Sequence, residues 1–230
     1  MKIKVCQFVY GDLAQPDSWF SKFVEPINRM YCELHRYDYV VDRLETIRPD
    51  RKGHWEKVAN ILRNLTGCDY LFYLDADVVF YNHIFAIDEE LLHRMESSHL
   101  MMFSLDICDE CRRWNPYGAN SGVGLFRNTQ ETRDIIAEWD IVTDMPEYEY
   151  TRFGSHTSDQ AGFNDYILPK YRDRIKLLQN YYLMNGLHGQ FLRHFFTGTG
   201  DRNKEFEQIY HSPLMARNRK LAGVVDCCLQ

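Results

Sequence analysis

The sequence predicts one α/β domain with a mostly parallel central sheet and helices on both faces. Short runs of β-branched and aromatic residues, the length of core strands, alternate with longer stretches whose apolar residues fall at helical spacing, and such alternation builds a sheet covered on both sides. The chain of 230 residues is long enough for one substantial core, and no linker, low-complexity run or internal repeat divides it.

The first strand is "KIKVCQFVY", and Gly11-Asp12 is the turn that leaves it. "DSWFSKFVEPINRMYCELHRY" carries apolar residues at helical spacing, with Asp17 or Ser18 as the cap, and "DYVVDRL" follows as the second strand. After the polar loop "RPDRKGH", Trp55, Val58, Ala59, Leu62 and Leu65 share one helical face before Gly67 stops the helix. "DYLFYLDADVVFYNH" is the next strand, and its two carboxylates mark where it ends. Further on, "LLHRMESS" reads as a short helix, "LMMFSLDI" and "SGVGLFRN" as strands, and "TQETRDIIAEWDIV" as a helix capped by Thr129. From about residue 186 the chain is rich in Gly, His and Arg and poorly patterned, which suits a segment folded back over a site. Residues 1–80 thus form the half that ends in the carboxylate motif, 81–185 a second half, and 186–230 a lid and tail.

Composition narrows the function. Charged residues at 26% and hydrophobic residues at 45% are an ordinary globular balance. A net charge of −6 without a long Lys/Arg block argues against nucleic-acid binding through a basic surface. The 15 Tyr and 14 Phe suit a pocket for a planar or sugar-like ligand as well as a core. No apolar stretch approaches the roughly 20 residues needed to span a bilayer, and the start "MKIKVCQFVYGD" reads as a strand and not as a secretion signal. Seven cysteines do not form an obvious disulfide framework, so the expectation is a reduced, cytoplasmic protein. "CDEC", Cys108 to Cys111, has the spacing of half a zinc knuckle but no second pair, and Asn64-Leu65-Thr66, a formal glycosylation sequon, lies in a helical pattern.

Asp75 and Asp77 are the strongest chemical signal. Two ionised groups inside an apolar strand would cost several kcal/mol unless paired or bound to a cation, so the strand must end at Asp75 and open into a site. In an open α/β sheet that edge is where ligands are held. An apolar strand ending in Asp-x-Asp suits a divalent cation held by hard carboxylate oxygens, a phosphatase of the haloacid-dehalogenase type with Asp75 as nucleophile, or an exposed turn with no chemistry. A non-catalytic carbohydrate- or metal-binding module is a further possibility. The phosphatases usually carry the motif near the N-terminus, whereas here a β-α-β unit and another helix precede it.

Four stretches in order resemble nucleotide-sugar glycosyltransferases of the GT-A fold, particularly the retaining α-galactosyl/α-xylosyltransferase and glycogenin-like families. They are the Asp75-Ala76-Asp77 strand, "YGANSGVGLFRN", "TSDQAGFND" and "RHFFTGTGDRNK". The resemblance implies a Rossmann-like GT-A domain that moves a hexose or pentose from a nucleoside-diphosphate sugar, a UDP-sugar favoured, to a glycan or other hydroxyl acceptor with retention of configuration. It implies Mn²⁺ or Mg²⁺ held by Asp75, Asp77 and His194, with Ala76 between the two carboxylates. Asn120 and Ser121 would contact the donor, Gln160 or Asp159 would lie by the anomeric carbon, and Asp159 could act as the base of an inverting alternative. Gly198 and Lys204 would serve the diphosphate, although His194 to Gly198 is one residue longer than the family pattern and Lys204 lies further on. "GHWEKVANIL" resembles the Trp-x-Lys helix start, with Lys57 near the donor phosphates, and Tyr10 would pack against the base. Trp114, Tyr117 and His156 could shape an acceptor pocket or simply pack in the core.

Overall fold

A computed structural model of the chain describes residues 1–44, 47, 53–106, 118–142, 158–179, 181–184, 186, 188–195 and 200–223. Its centre is a six-stranded sheet in the order β2-β1-β3-β6-β5-β7, and β4 and β8 form a separate two-stranded sheet. The strands are β1 (Ile3–Tyr10), β2 (Asp38–Leu44), β3 (Tyr70–Leu74), β4 (Val78–Phe80), β5 (Met101–Leu105), β6 (Ala119–Arg127), β7 (Ile175–Leu178) and β8 (Leu192–His194). β1 pairs in parallel with both β2 and β3, and β5 with β7, whereas β6 runs antiparallel between β3 and β5. The mostly parallel α/β sheet expected from the sequence is therefore present.

Side-chain alternation gives the sheet its two cores. On β3, Leu71 and Tyr73 enter the cluster formed with Trp55, Val58 and Ile61 of α2 (Gly53–Asn64) and with Leu65 just after it. Phe72 and Leu74 enter the opposite cluster with Tyr31 and Cys32 of α1 (Glu25–His35). A period of two on a strand makes this division obligatory. In α2 it is Ile61 that is fully buried, while Ala59 and Leu62 are only half-buried, so the core face sits slightly rotated from the expected one.

Local signals explain the boundaries. Ser18 caps the helical run that leads into α1, its Oγ accepting from the Ser21 backbone N–H at 3.2 Å. Gly11 (φ +57) turns the chain out of β1, and Gly67 (φ +73) ends the turn after α2. Thr129 caps α3 (Gln130–Ile141), as its sequence predicts, by accepting from the Thr132 backbone N–H at 3.1 Å. The "LLHRMESS" stretch is reduced to a 3₁₀ turn at Leu92–Arg94, with a short helix, Ile87–Glu90, before it.

The C-terminal region is the larger departure. Instead of a poorly patterned tail it holds α5 (Arg202–Tyr210) and α6 (Pro213–Leu221), after the single-turn α4 (Asp159–Gly162) earlier in the chain. Phe206, Ile209 and Met215 are buried in a third cluster with Val9, Phe20 and Val79, so these helices are docked on the domain. Among the described residues no helix is long and apolar enough to cross a membrane. Gly198, Trp114, Tyr117, His156 and the Cys108/Cys111 pair lie outside the described residues. Asn64, the sequon asparagine, is buried and donates to Asp42 Oδ2 at 3.0 Å.

Candidate active site

The carboxyl ends of β1 and β3 lie side by side because the two strands pair in parallel from Ile3/Tyr70 to Gln7/Leu74. β3 ends at Leu74, Asp75-Ala76-Asp77 forms a turn closed by the Val78 N–H on the Asp75 carbonyl (3.1 Å), and β4 begins at Val78. The two aspartates thus stand at the tip of a core strand and not inside it, which resolves the cost of two carboxylates in an apolar run.

β8 completes the group. It pairs antiparallel with β4 so that His194 lies opposite Val78, and the Phe195 N–H donates to the Asp77 carbonyl at 3.0 Å. One ligand atom from each of Asp75, Asp77 and His194 falls within 4.8 Å of the others, as the sequence expectation required. Two carboxylates and an imidazole form a donor set that suits a hard or borderline divalent ion.

The space around this trio is tightly set by Gly122 on β6. A Cβ at that position would lie 2.3 Å from His194 Cε1 and 2.9 Å from an Asp75 carboxylate oxygen, so only glycine lets β6 approach so closely. Gly122→Ala is expected to weaken Mn²⁺ binding by at least about tenfold while leaving a folded domain. Titration of Mn²⁺ into both proteins checks this, and equal affinity would show that the trio does not depend on its packing against β6.

Charges are balanced in two groups. Lys57 of α2 is buried, 3.3 Å from both Asp75 carboxylate oxygens, 2.8 Å from Asp159 Oδ2 and 3.2 Å from Ser121 Oγ. Burial alone would lower the Lys57 pKa, but Asp159 and Asp75 outweigh it and hold the ammonium firmly charged. On the other side, Asp77 faces His194 Nε2 at 3.3 Å through Oδ1 and receives the Arg202 guanidinium on Oδ2 at 2.6 Å. Burial pushes the Asp77 carboxyl up, yet His194 and Arg202 prevail and lower it to about 2. For Asp75 burial wins, helped by the nearby Asp77 charge and opposed by Lys57, and its carboxyl is raised. Tyr73 also donates to Asp75 Oδ1 at 2.9 Å.

A polar chain extends from Ser121 along β6. Ser121 Oγ donates to Asp159 Oδ2 at 2.8 Å, and the Ser121 N–H donates to Gln160 Oε1 at 3.0 Å. Gln160 Nε2 donates to Asp106 Oδ2 at 2.9 Å, and Asn120 Nδ2 to Asp106 Oδ1 at 3.1 Å. Asn120 Oδ1 in turn accepts from the Gly122 N–H at 3.0 Å. Asn120, Ser121, Asp159 and Gln160, all anticipated from sequence, therefore meet beside the trio. Asp106 was not anticipated. It stands one residue past β5, an apolar strand running into an aspartate just as β3 does, and that parallel was the available signal.

The cleft beside these groups has a volume of about 340 Å³, and Tyr10, Trp19, Gly53, Lys57, Asp77 and Arg202 are among the residues that line it, as does Ala76. Tyr10 is 40% exposed and stacks on Phe8 with ring centroids 5.6 Å apart. Aromatic rings together with cations and carboxylates suit a ligand with a planar group and a charged group. Lys204 does not line this cleft. It is exposed on α5, and Arg202, at the start of the same helix, supplies the cation there. The departure from family spacing noted at Lys204 is the physical reason, because the helix begins at Arg202 with Asp201 as its cap.

This geometry agrees with comparison to known proteins. Residues 14–115 match the galactosyl transferase GMA12/MNN10 family. A glycosyltransferase involved in glycosylation of the major capsid of PBCV-1 superposes with a TM-score of 0.71 at 14% identity, covering 92% of this chain and 100% of that one. GlyE of Streptococcus pneumoniae superposes at 0.56 and 12% identity, covering 96% of this chain and 63% of its own. Xyloglucan 6-xylosyltransferase 4 of Arabidopsis thaliana is 23% identical over 202 residues, which is 80% of this chain but 36% of that protein. Probable glycosyltransferase 6 of Oryza sativa subsp. indica is 26% identical over 134 residues, 56% of this chain and 26% of its own. The chain thus spans between about a quarter and about a third of the curated relatives' length. The chain has the fold of the GT-A glycosyltransferases, and over residues 14–115 it resembles the galactosyl transferase GMA12/MNN10 family.

Proposed function

We propose that the chain transfers a sugar from a nucleoside-diphosphate sugar to an acceptor hydroxyl with the help of a divalent cation. The observation that carries this is the convergence of Asp75, Asp77 and His194 within 4.8 Å, with Asp75 and Asp77 lining a cleft that Tyr10 and Trp19 also line. In this reading Tyr10 packs on the base, UDP-sugars are the favoured donors, and Asp75, Asp77 and His194 hold Mn²⁺ or Mg²⁺. Such an ion supplies Lewis-acid stabilisation of the charge that builds on the departing diphosphate. Arg202 adds a protein cation on the same side.

The groups on the sugar side have distinct roles. Asp159 is occupied by Lys57 and Ser121 and is buried, which makes it a poor base and favours retention over inversion. Gln160 is held at both ends of its amide, by Ser121 and Asp106, so its carbonyl oxygen is presented in a fixed orientation beside the trio. Asn120 and Ser121 contact the donor sugar. A cytoplasmic setting fits the free buried thiols of Cys6, Cys32 and Cys68.

The test is a thermal-shift panel of nucleoside diphosphates and their sugars in Mn²⁺ and in EDTA. A ligand that binds only the folded protein raises its melting temperature by mass action. Nucleoside diphosphates should stabilise the protein in Mn²⁺ and lose most of that effect in EDTA. Equal stabilisation in both would remove the metal from the reading, and no stabilisation by any nucleotide would remove the donor.

A further inference from the structure

β1 is apolar along the side that faces α1, except at one position. Ile3, Val5 and Val9 alternate onto that side with Gln7, which is fully buried. Gln7 Nε2 donates to the Asp75 carbonyl at 2.9 Å and to the Val78 carbonyl at 3.4 Å. Asn28 of α1, also fully buried, donates through Nδ2 to Gln7 Oε1 at 2.8 Å and to the Val78 carbonyl at 2.9 Å. Its Oδ1 accepts from the Phe80 N–H at 2.9 Å, and Tyr39 of β2 donates its hydroxyl to Gln7 Oε1. Two buried amide side chains thus grip the backbone on both sides of Asp77.

We propose that Gln7 and Asn28 are positioning residues for the candidate cation site, holding the Asp75–Val78 turn so that Asp75, Asp77 and His194 converge. The proposal rests on the reading of those three side chains as cation ligands. The coupling to His194 follows from pairing: Val78 lies opposite His194, and the Phe195 N–H donates to the Asp77 carbonyl. A shift of Val78 therefore carries all three ligands with it. Packing alone does not require this arrangement, because apolar side chains of similar volume would fill the space between β1 and α1. What an apolar pair would not do is fix the carbonyls of Asp75 and Val78. Buried polar groups whose hydrogen bonds are all made fix one geometry among several that packing would allow.

The substitution that separates the two roles is Gln7→Met, which keeps the volume and removes the amide. Mn²⁺ binding is measured calorimetrically well below the unfolding temperature, and hydrogen exchange is followed without metal at the amides of Asp75 and Val78, which donate to the Gly122 and Asp75 carbonyls. Gln7→Met should unfold cooperatively, bind Mn²⁺ about tenfold to a hundredfold more weakly, as loss of an outer support of a metal site does, and exchange faster at Asp75 and Val78. The amides of Met101–Leu105, at the other side of the sheet, should keep their protection. Unchanged Mn²⁺ affinity together with unchanged exchange would overturn the proposal and leave Gln7 a core residue only. If the wild-type protein binds no Mn²⁺, the cation reading fails by itself, and exchange alone decides whether the turn is held. If Gln7→Met does not fold, Tyr39→Phe decides: it should weaken Mn²⁺ binding by about threefold, the worth of roughly one neutral hydrogen bond, and no change in affinity or exchange would overturn the proposal.

Discussion

Asp77→Ala should lower turnover by at least about a hundredfold to a thousandfold and leave nucleoside diphosphate binding no longer dependent on Mn²⁺. The substitution removes one of three ligands and at the same time frees the Arg202 guanidinium, which otherwise rests on the Asp77 carboxylate. A site that loses an anion and keeps the Arg202 cation becomes a better host for a bare diphosphate and a worse one for a metal ion. Nucleoside diphosphate affinity in EDTA should therefore hold or rise in Asp77→Ala, while affinity in Mn²⁺ falls to the same value. Calorimetry of both proteins under both conditions gives the comparison. A retained gain in affinity from Mn²⁺ in the variant would assign the cation to other ligands. Global stability should fall modestly, because the side chain lies at the cleft and is 18% exposed.

Much of the fold was legible because the hydrophobic pattern and the chemistry agreed. Tyr70 to Leu74 is too short for a helix and too apolar for a surface loop, so a core strand ending at Asp75 was the only arrangement that kept both carboxylates out of the interior. Thr129 and Ser18 were legible as caps since their hydroxyls precede runs with helical spacing. The C-terminal helices were not read, although Ser212-Pro213 and Asp201 are ordinary start signals. Ser212 Oγ accepts from the Met215 N–H, Asp201 accepts from the Asn203 and Lys204 N–H groups, and Pro213 stands at the first turn. Each helix buries only two side chains among many charged ones, so periodicity gave little to detect.

The site divides in the same way. Asp75, Asp77 and His194 carry a signal in residue type and order. Arg202 carries none, since one arginine among several in a basic stretch stands out only when the helix start brings it to Asp77. Asp106 joins Asn120 to Gln160 across 14 and 54 residues of sequence, and the brace of Gln7 and Asn28 joins elements as far apart. Such contacts are properties of the closed sheet and cannot be seen in any single strand.

Lys57 shows why a residue can be located correctly by sequence and still act differently from expectation. It lines the cleft, but its ammonium lies between Asp159 and Asp75, with a side chain only 6% exposed. Lys57→Met should destabilise the protein by about 3 kcal/mol or more, because removing one partner leaves buried carboxylates uncompensated. For a domain of this size that lowers the melting temperature by roughly 6–12 °C. The cause is specific enough to be reversed. Asp159, with a side chain 5% exposed, is the more deeply buried partner, so the double variant Lys57→Met with Asp159→Asn should recover a large part of the loss. A lysine that served only the phosphates would behave otherwise: its removal would leave the melting temperature of the ligand-free protein unchanged and cost donor affinity alone. Thermal unfolding of the two single variants and the double variant without ligand separates these outcomes. Equal melting temperatures for wild type and Lys57→Met would return Lys57 to the donor. Recovery in the double variant would make it the counter-charge of the buried Asp159, shared with Asp75 at the tip of the core strand.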